Sequence, residues 1–300
     1  MTIALTFVLH YITTKLIIDI NSKYSNSDNN QLFFRNFIIN MSIYNSIGQQ
    51  YSKTRVPDIR IVNKLIDLLN LPKGSIMADI GAGTGGYSLA LANKGFLVNA
   101  VEPSVVMQKQ AVEHQQIKWF TGYAENLPLP DKSVDAVVSI LAIHHFYHLE
   151  KAFQEMHRII RDGAIILLTF DIRLSQKIWL YDYFPFLWED ALRFLPLNEQ
   201  VNLIQSNTKR RVKAIPLLLP YDLSDLFAAA GWRRPELYLQ PEVRAGISSF
   251  ALANQDLIEQ GIKLLAADLS SGEWSKKYGD IHNLTEIDIG YRFIRATLDN

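Results

Sequence analysis

The 300-residue chain contains no cysteine. Disulfides, zinc held by thiolates and cysteine nucleophiles are therefore excluded. Neither sign of charge is in excess: Lys plus Arg and Asp plus Glu stand at 30 each, and the pI is about 7.1. A dedicated nucleic-acid binder usually carries a basic surplus, so this balance speaks against one without excluding a local patch. No repeat of fixed period runs along the chain. An uninterrupted apolar run of spanning length is also missing. The nearest is "MTIALTFVLHYITTKLIIDI", residues 1–20, which His10, Lys15 and Asp19 interrupt. It has neither the early positive charge nor the small-residue cleavage site of a signal peptide. Stable membrane insertion is not expected, and a cytoplasmic protein is. The polar tract Asn21 to Gln31 reads as linker. Residues 1–40 are thus expected to be a loosely ordered extension, with Met41 as the natural start.

What the chain does have is apolar mass. With 48% hydrophobic and 20% charged residues it can bury a sizeable core. Its length suits one large α/β domain with an insertion, or two modest domains. Ile61, Val62, Leu65, Leu68 and Leu69 stand at helical spacing, which predicts a helix from Met41 to about Asn70, broken by Pro72-Lys73-Gly74. "SIMADIG" then reads as a strand, and a glycine loop leads into a helix that stops near Gly95. "FLVNAVE", "IKWFTG", "VDAVVSI" and "AIILLTF" follow as further strands. Between them "SVVMQKQAVEH", with Ser104 as N-cap, and the stretch bearing Phe153, Met156, Ile159 and Ile160 read as helices. Such β-α alternation implies a doubly wound parallel sheet with right-handed crossovers. "RVKAIPLLLP" and "IGYRFIRATL" resemble two late strands, with a mostly helical segment between. The expected division is a core over 41–220, a helical cap over 221–286 and a final core strand over 287–300.

The loop "MADIGAGTGGYS" poses the functional question. Gly81, Gly83 and Gly86 fit the dinucleotide pattern G-x-G-x-x-G, whereas Gly81, Gly83 and Gly85 fit the G-x-G-x-G loop that carries S-adenosylmethionine (SAM). Either pattern uses glycine to bring backbone close to a nucleoside. The second strand ends in Glu102, 21 residues after Gly81, the usual distance for an acid that holds ribose hydroxyls. That feature too is shared by both ligands. A pyrophosphate favours a nearby cation, and the loop has none. Acidic strand ends at Asp79, Glu102 and Glu125 suit a sulfonium better.

Four motifs in order, "DIGAGTGGYSLALA", "VEPS", "GYAENLPLPDKSVDAVVSILAIHHF" and "FQEMHRIIRDGAIILLTFD", make the stretch Tyr51 to Asp171 resemble the class I SAM-dependent methyltransferases. The similarity is closest to the small-molecule branch that includes ubiquinone- and menaquinone-biosynthesis C-methyltransferases. The resemblance implies a mostly parallel, seven-stranded Rossmann-like α/β sheet with a helical cap, and SAM as cofactor. It implies that Gly81, Gly83 and Thr84 line the methionine part of SAM while Asp79 orients the loop. Glu102, with Pro103 beside it, would hold the ribose; the Ala124 amide and Glu125 would meet the adenine; Ser139, Ile140 and Leu141 would lie beneath the sulfonium methyl. Tyr51 and Arg55 stand where relatives fold a helix over the cofactor, with Arg55 able to pair with the SAM carboxylate or an acidic substrate group. Tyr123 departs from the pattern, since many relatives place Asp there.

His144 and His145 follow the fourth strand and are candidates for a general base. His144 and His148 have the i, i+4 spacing of metal ligands, but no acid cluster accompanies them, so no metal is expected. The aromatic run Ile178 to Trp188 reads as core with one or two rings facing a pocket, and "KRRVK", Lys209 to Lys213, as a solvated face. The expectation is methyl transfer from SAM to a small, largely apolar acceptor, without nucleic acid or membrane. The alternatives are an NAD(P)-dependent oxidoreductase and a non-catalytic SAM-binding protein.

Overall fold

The computed structural model describes residues 51–175 and 178–298. The extension expected over 1–40, and the start of the helix expected at Met41, lie outside them. Five strands run parallel: β1 (Ile76–Ile80), β2 (Leu97–Val101), β3 (Ile117–Phe120), β4 (Ala136–Ile140) and β5 (Ile165–Phe170). With β6 (Arg211–Pro216) and β9 (Tyr291–Thr297) they form a seven-stranded sheet in the order β3-β2-β1-β4-β5-β9-β6. Strand β9 is antiparallel to both of its neighbours. Two short strands, β7 (Leu219–Pro220) and β8 (Glu286–Ile287), pair separately. The chain reverses its direction of winding between β1 and β4. In such sheets that point opens a ligand crevice at the carboxyl ends of the strands.

The central strands β4 and β5 are almost wholly apolar because both faces of the sheet are covered there, whereas the edge strand β6 is mostly exposed. Alternate residues enter opposite layers. Met77, Val138, Ile166 and Leu168 pack with Ile61, Leu65 and Leu91. Ala78, Val137, Ile165 and Leu167 pack instead with Phe153, Met156 and Ile159. The last three lie at three-residue intervals on the helix Leu149–Ile159, which explains why that helix was readable from spacing alone.

Two expected helices differ. The one ending near Asn70 covers Ile59–Leu69, separated at Pro57 and Asp58 from a short turn, Tyr51–Thr54. Asp58 caps it, Oδ1 accepting from the Arg60 amide at 2.9 Å. Burial is the largest single effect on the Asp58 carboxyl and raises it, but hydrogen bonds from Arg60 and the Ser224 amide, with the Arg60 charge, together outweigh it and hold the group well below the usual carboxylate range. The second helix, expected over "SVVMQKQAVEH", covers only Val105–Gln108, although Ser104 caps it as expected. Met107 is its one buried residue, and a helix with no apolar stripe gains little from packing.

The aromatic run is mostly core, with Trp179, Tyr181, Tyr183, Phe184 and Phe186 all buried. Trp179 meets Tyr183, Tyr238 and Trp274 edge-on, and its indole N–H donates to the Trp232 carbonyl at 2.6 Å. The helices Leu180–Tyr183 and Pro185–Ala191 pack against Gln255–Ser271 and Ser248–Leu252 respectively. The helical layer therefore draws on residues before β6 as well as on 221–286. Within "KRRVK", Lys209, Arg211 and Lys213 are exposed, but Arg210 is buried. Its guanidinium donates to the carbonyls of Gly163 at 2.6 Å and Arg161 at 3.0 Å, bracing the turn before β5. The expectation of a fully solvated face fails there, because a long side chain can fold back onto nearby carbonyls. Among the described residues, no helix is long and apolar enough to cross a membrane.

Candidate functional site

The glycine loop joins β1 to the helix Gly86–Asn93. Gly81, Gly83 and Gly85 all hold positive φ, at 74°, 58° and 79°, a region costly to residues with a Cβ. Gly86 is not among the positive-φ glycines. The backbone thus demands glycine at the positions of G-x-G-x-G. At Gly85 a Cβ would also strike Trp119 at 2.6 Å. At Gly83 it would meet only the tip of Met107, at 3.5 Å. That residue is glycine for its conformation and leaves an open face, as a backbone laid against a ligand requires.

Three carboxylates surround this loop and differ in use. Asp79 is buried and accepts the Ser88 hydroxyl at 2.6 Å, bracing the helix that follows the loop. Burial pushes its carboxyl up to about 6, with Glu102 adding to the rise and Ser88 opposing it. Glu102 accepts the Gly83 amide and the Ser104 amide, each at 2.9 Å and each on its own oxygen. Burial raises its pKa against those two bonds. Every carboxylate oxygen keeps a further lone pair, so Glu102 has capacity for two hydroxyl donors. Pro103 and Thr84 are half-buried beside it.

Glu125 is held by main-chain amides. Its Oε1 accepts the amides of Tyr147 at 2.6 Å and His148 at 3.1 Å, so it anchors the loop before the helix Leu149–Ile159. Ala124 is buried in the adjoining turn, where the Asn126 amide donates to the Tyr123 carbonyl. Ser139 is fully buried, and its hydroxyl donates to the Ile80 carbonyl at 2.8 Å, joining the ends of β1 and β4. Leu141 follows β4 with a φ of 53° and lines a cavity. A non-glycine residue held there carries local strain, of the kind that gathers at functional sites.

That cavity, about 90 Å³, lies where β4 and β5 end. Leu141, His144, His145 and Phe170 form its sheet side; Tyr181, Phe227 and Ile247 are among the residues facing them. The histidine ring centroids are 3.8 Å apart, and His144 stacks on Phe194 at 4.7 Å. Burial lowers the His144 pKa to about 4, and Arg55 adds to the effect. His145 falls well below its ordinary value through burial, His144 and Arg55 in that order. Both imidazoles are neutral at pH 7. A base this weak is poorly matched to pulling a proton outright, which favours a hydrogen-bond-accepting role over full deprotonation. His144 and His148 do not share a helical face: the first is in the turn Ile143–His145, the second caps the next helix. Among the described residues, no group of three His, Cys, Asp or Glu could hold a metal.

Tyr51 opens the turn Tyr51–Thr54. Arg55 lines the cavity, but its Nε donates to Asp225 Oδ1 at 2.6 Å in a buried ion pair. Its Nε thus has a carboxylate of the protein itself as partner, where the sequence left a ligand carboxylate and a solvated face both open. Asp225 was missed. It stands 170 residues from Arg55, and nothing local distinguishes it from a surface aspartate.

Comparison with known proteins agrees with this geometry. The model of a methyltransferase domain matches residues 78–168. A crystal structure from Anabaena variabilis ATCC 29413, of a protein assigned as a methyltransferase of an antibiotic biosynthesis pathway, is 79% identical. It covers 82% of this chain and 99% of its own, with a TM-score of 0.81. The chain belongs to the class I SAM-dependent methyltransferases. Among curated methyltransferases, it is similar to a ubiquinone/menaquinone biosynthesis C-methyltransferase of Rubrivivax gelatinosus, 31% identical over 38% of this chain and 46% of that protein. An uncharacterized methyltransferase of Mycobacterium bovis is 30% identical over 51% of this chain and 63% of its own length. The chain thus spans less than two thirds of these curated relatives. For a member of this family, the three positive-φ glycines and the lone pairs remaining on Glu102 fit a nucleoside-bearing ligand.

Proposed function

We propose that this methyltransferase moves the methyl group of SAM to a small, largely apolar acceptor held in the cavity at the ends of β4 and β5. The observation that carries the reading is the position of the loop after β4. A Cβ on Gly81 would strike Ala142 at 2.6 Å, while Leu141, His144 and His145 line the cavity. One short loop therefore touches the glycine loop on one side and the cavity on the other.

In this proposal Gly81, Gly83 and Thr84 cradle the methionine end, Asp79 steadies the loop, and Glu102 with Pro103 holds the ribose. Ala124 offers its amide near the base, Leu141 forms the floor beneath the reacting centre, and the segment bearing Tyr51 and Arg55 closes over the site. Bound SAM supplies an electrophilic methyl on a sulfonium. The chain contributes alignment and exclusion of water, the terms that dominate an in-line displacement. His144 or His145 accepts a hydrogen bond from the acceptor's nucleophilic group. The helical residues 221–286, with 178–192, are the acceptor-side cap on the core. The pathway assignment of the Anabaena protein supports a small molecule as acceptor. The balanced charge supports the proposal of no nucleic-acid partner, and the cysteine-free composition is in keeping with a proposed cytoplasmic location.

The test is incubation of the full chain with methyl-deuterated SAM and panels of phenols, amines and activated carbon acids, followed by mass spectrometry. A labelled product, with S-adenosylhomocysteine (SAH) formed in equal amount, is the expected result. SAM binding without transfer to any member of a broad panel would turn the reading toward a non-catalytic SAM protein.

A further inference from the structure

Between the glycine loop and the cavity lies a set of buried polar groups that the proposed reaction leaves unused. Asp225 is fully buried. Its Oδ1 accepts from Arg55 Nε at 2.6 Å and its Oδ2 from the Tyr87 hydroxyl at 2.9 Å. These donors come from two sides of the site. Tyr87 is the second residue of the helix that opens directly after the glycine loop, and Arg55 lines the cavity. Asp225 itself belongs to the segment that leads into the helical cap.

The backbone around this carboxylate is equally close. A Cβ on Gly86 would meet the Pro57 ring at 3.0 Å and the Arg55 carbonyl at 3.6 Å, so residues 55–57 lie across the start of that helix. The Leu226 amide donates to the Thr54 carbonyl at 2.9 Å, and the Ser224 amide to Asp58 Oδ2 at 3.0 Å. Apolar packing permits sliding at small cost. A buried carboxylate shared by two donors does not, since losing either one leaves charge or a polar group desolvated and unmatched.

We propose that Asp225 is a positioning residue that locks Arg55, in the cavity wall, to the helix following the glycine loop, so that filling the loop tightens residues 53–58 and 222–228. The proposal rests on the SAM reading above. It implies that the acceptor side is organised by the same carboxylate whether or not an acceptor is present.

Hydrogen–deuterium exchange of the full chain, with and without SAH, tests it in the wild type, Tyr87→Phe and Asp225→Asn. In the wild type, SAH should slow exchange in 81–88 and also in 53–58 and 222–228. In both variants the slowing at 81–88 should persist while the slowing at the two distant segments is lost. A merely structural Asp225 would raise exchange there equally with and without SAH, leaving the SAH-induced difference intact, and that result overturns the proposal. So does a wild type in which SAH never slows the distant segments. If SAH slows nothing in the wild type, 81–88 included, the cofactor reading itself fails and the coupling falls with it. Should Asp225→Asn not fold, Tyr87→Phe, which removes a single hydroxyl, decides alone.

Discussion

The two sides of the proposed site are built from different materials. Around the glycine loop the groups are main-chain amides and carboxylates within one stretch of chain: Gly83, Glu102 and Ser104 satisfy one another across 22 residues. Around the cavity the groups are rings and a buried ion pair from segments far apart in sequence, as Arg55 with Phe227 and Asp225 shows. A ligand common to a whole family can be held by a fixed local motif. An acceptor peculiar to one enzyme needs a wall that can vary, and an inserted cap provides it.

Because the two sides are built from different groups, and Asp225 is their proposed link, variants within each side and away from that link should fail differently. The largest effect is expected from Gly83→Asp, which forces an L-residue into the left-handed region beside Glu102. SAM binding should be lost in a titration, with a stability loss of only about 1–2 kcal/mol from the left-handed conformation. Trp232→Ala should do the reverse. Its ring is fully buried and its indole donates to the Leu219 carbonyl at 3.1 Å. Its removal should cost about 3–5 kcal/mol in denaturant unfolding, as large core truncations do. A cap-core variant away from Asp225 that abolished SAM binding while remaining folded would break the comparison.

Asp79 sharpens it through pH. Its folded pKa, about 6, lies above the ordinary value of 3.8. The folded state therefore prefers the protonated acid: the relative stability is fully present below pH 3.8 and is lost as pH rises through about 6. Asp79→Asn should raise stability at pH 7 by an amount approaching about 3 kcal/mol and change it little at pH 4, since each unit is worth about 1.4 kcal/mol. Thermal melts across that window check it. A smaller effect is expected from Glu102→Ala, which removes charged hydrogen bonds worth about 1.5–3 kcal/mol and so should weaken SAM about ten- to a hundredfold.

The same contrast explains what the sequence disclosed. The individual strands, the place of Glu102 at the end of β2 and the glycine loop were legible because each depends on residues near in sequence, and backbone geometry selects Gly85 over Gly86 as the third loop glycine. The main-chain partners of Ser139 and Glu125 were not legible, because a hydroxyl or carboxylate can turn to any of several nearby main-chain groups once the chain has folded. Arg210 looked solvated because charge runs usually are. Asp225 was illegible in principle, since its role comes from a partner 170 residues away.

The central claim is that the opening loop and Glu102 form a SAM site. Calorimetric titration of the full chain with SAM, SAH, NAD and NADP tests it most directly. Binding of SAM and SAH alone, on the order of micromolar and weakened by Glu102→Ala, is the predicted result. Binding of a nicotinamide nucleotide in place of SAM would contradict it.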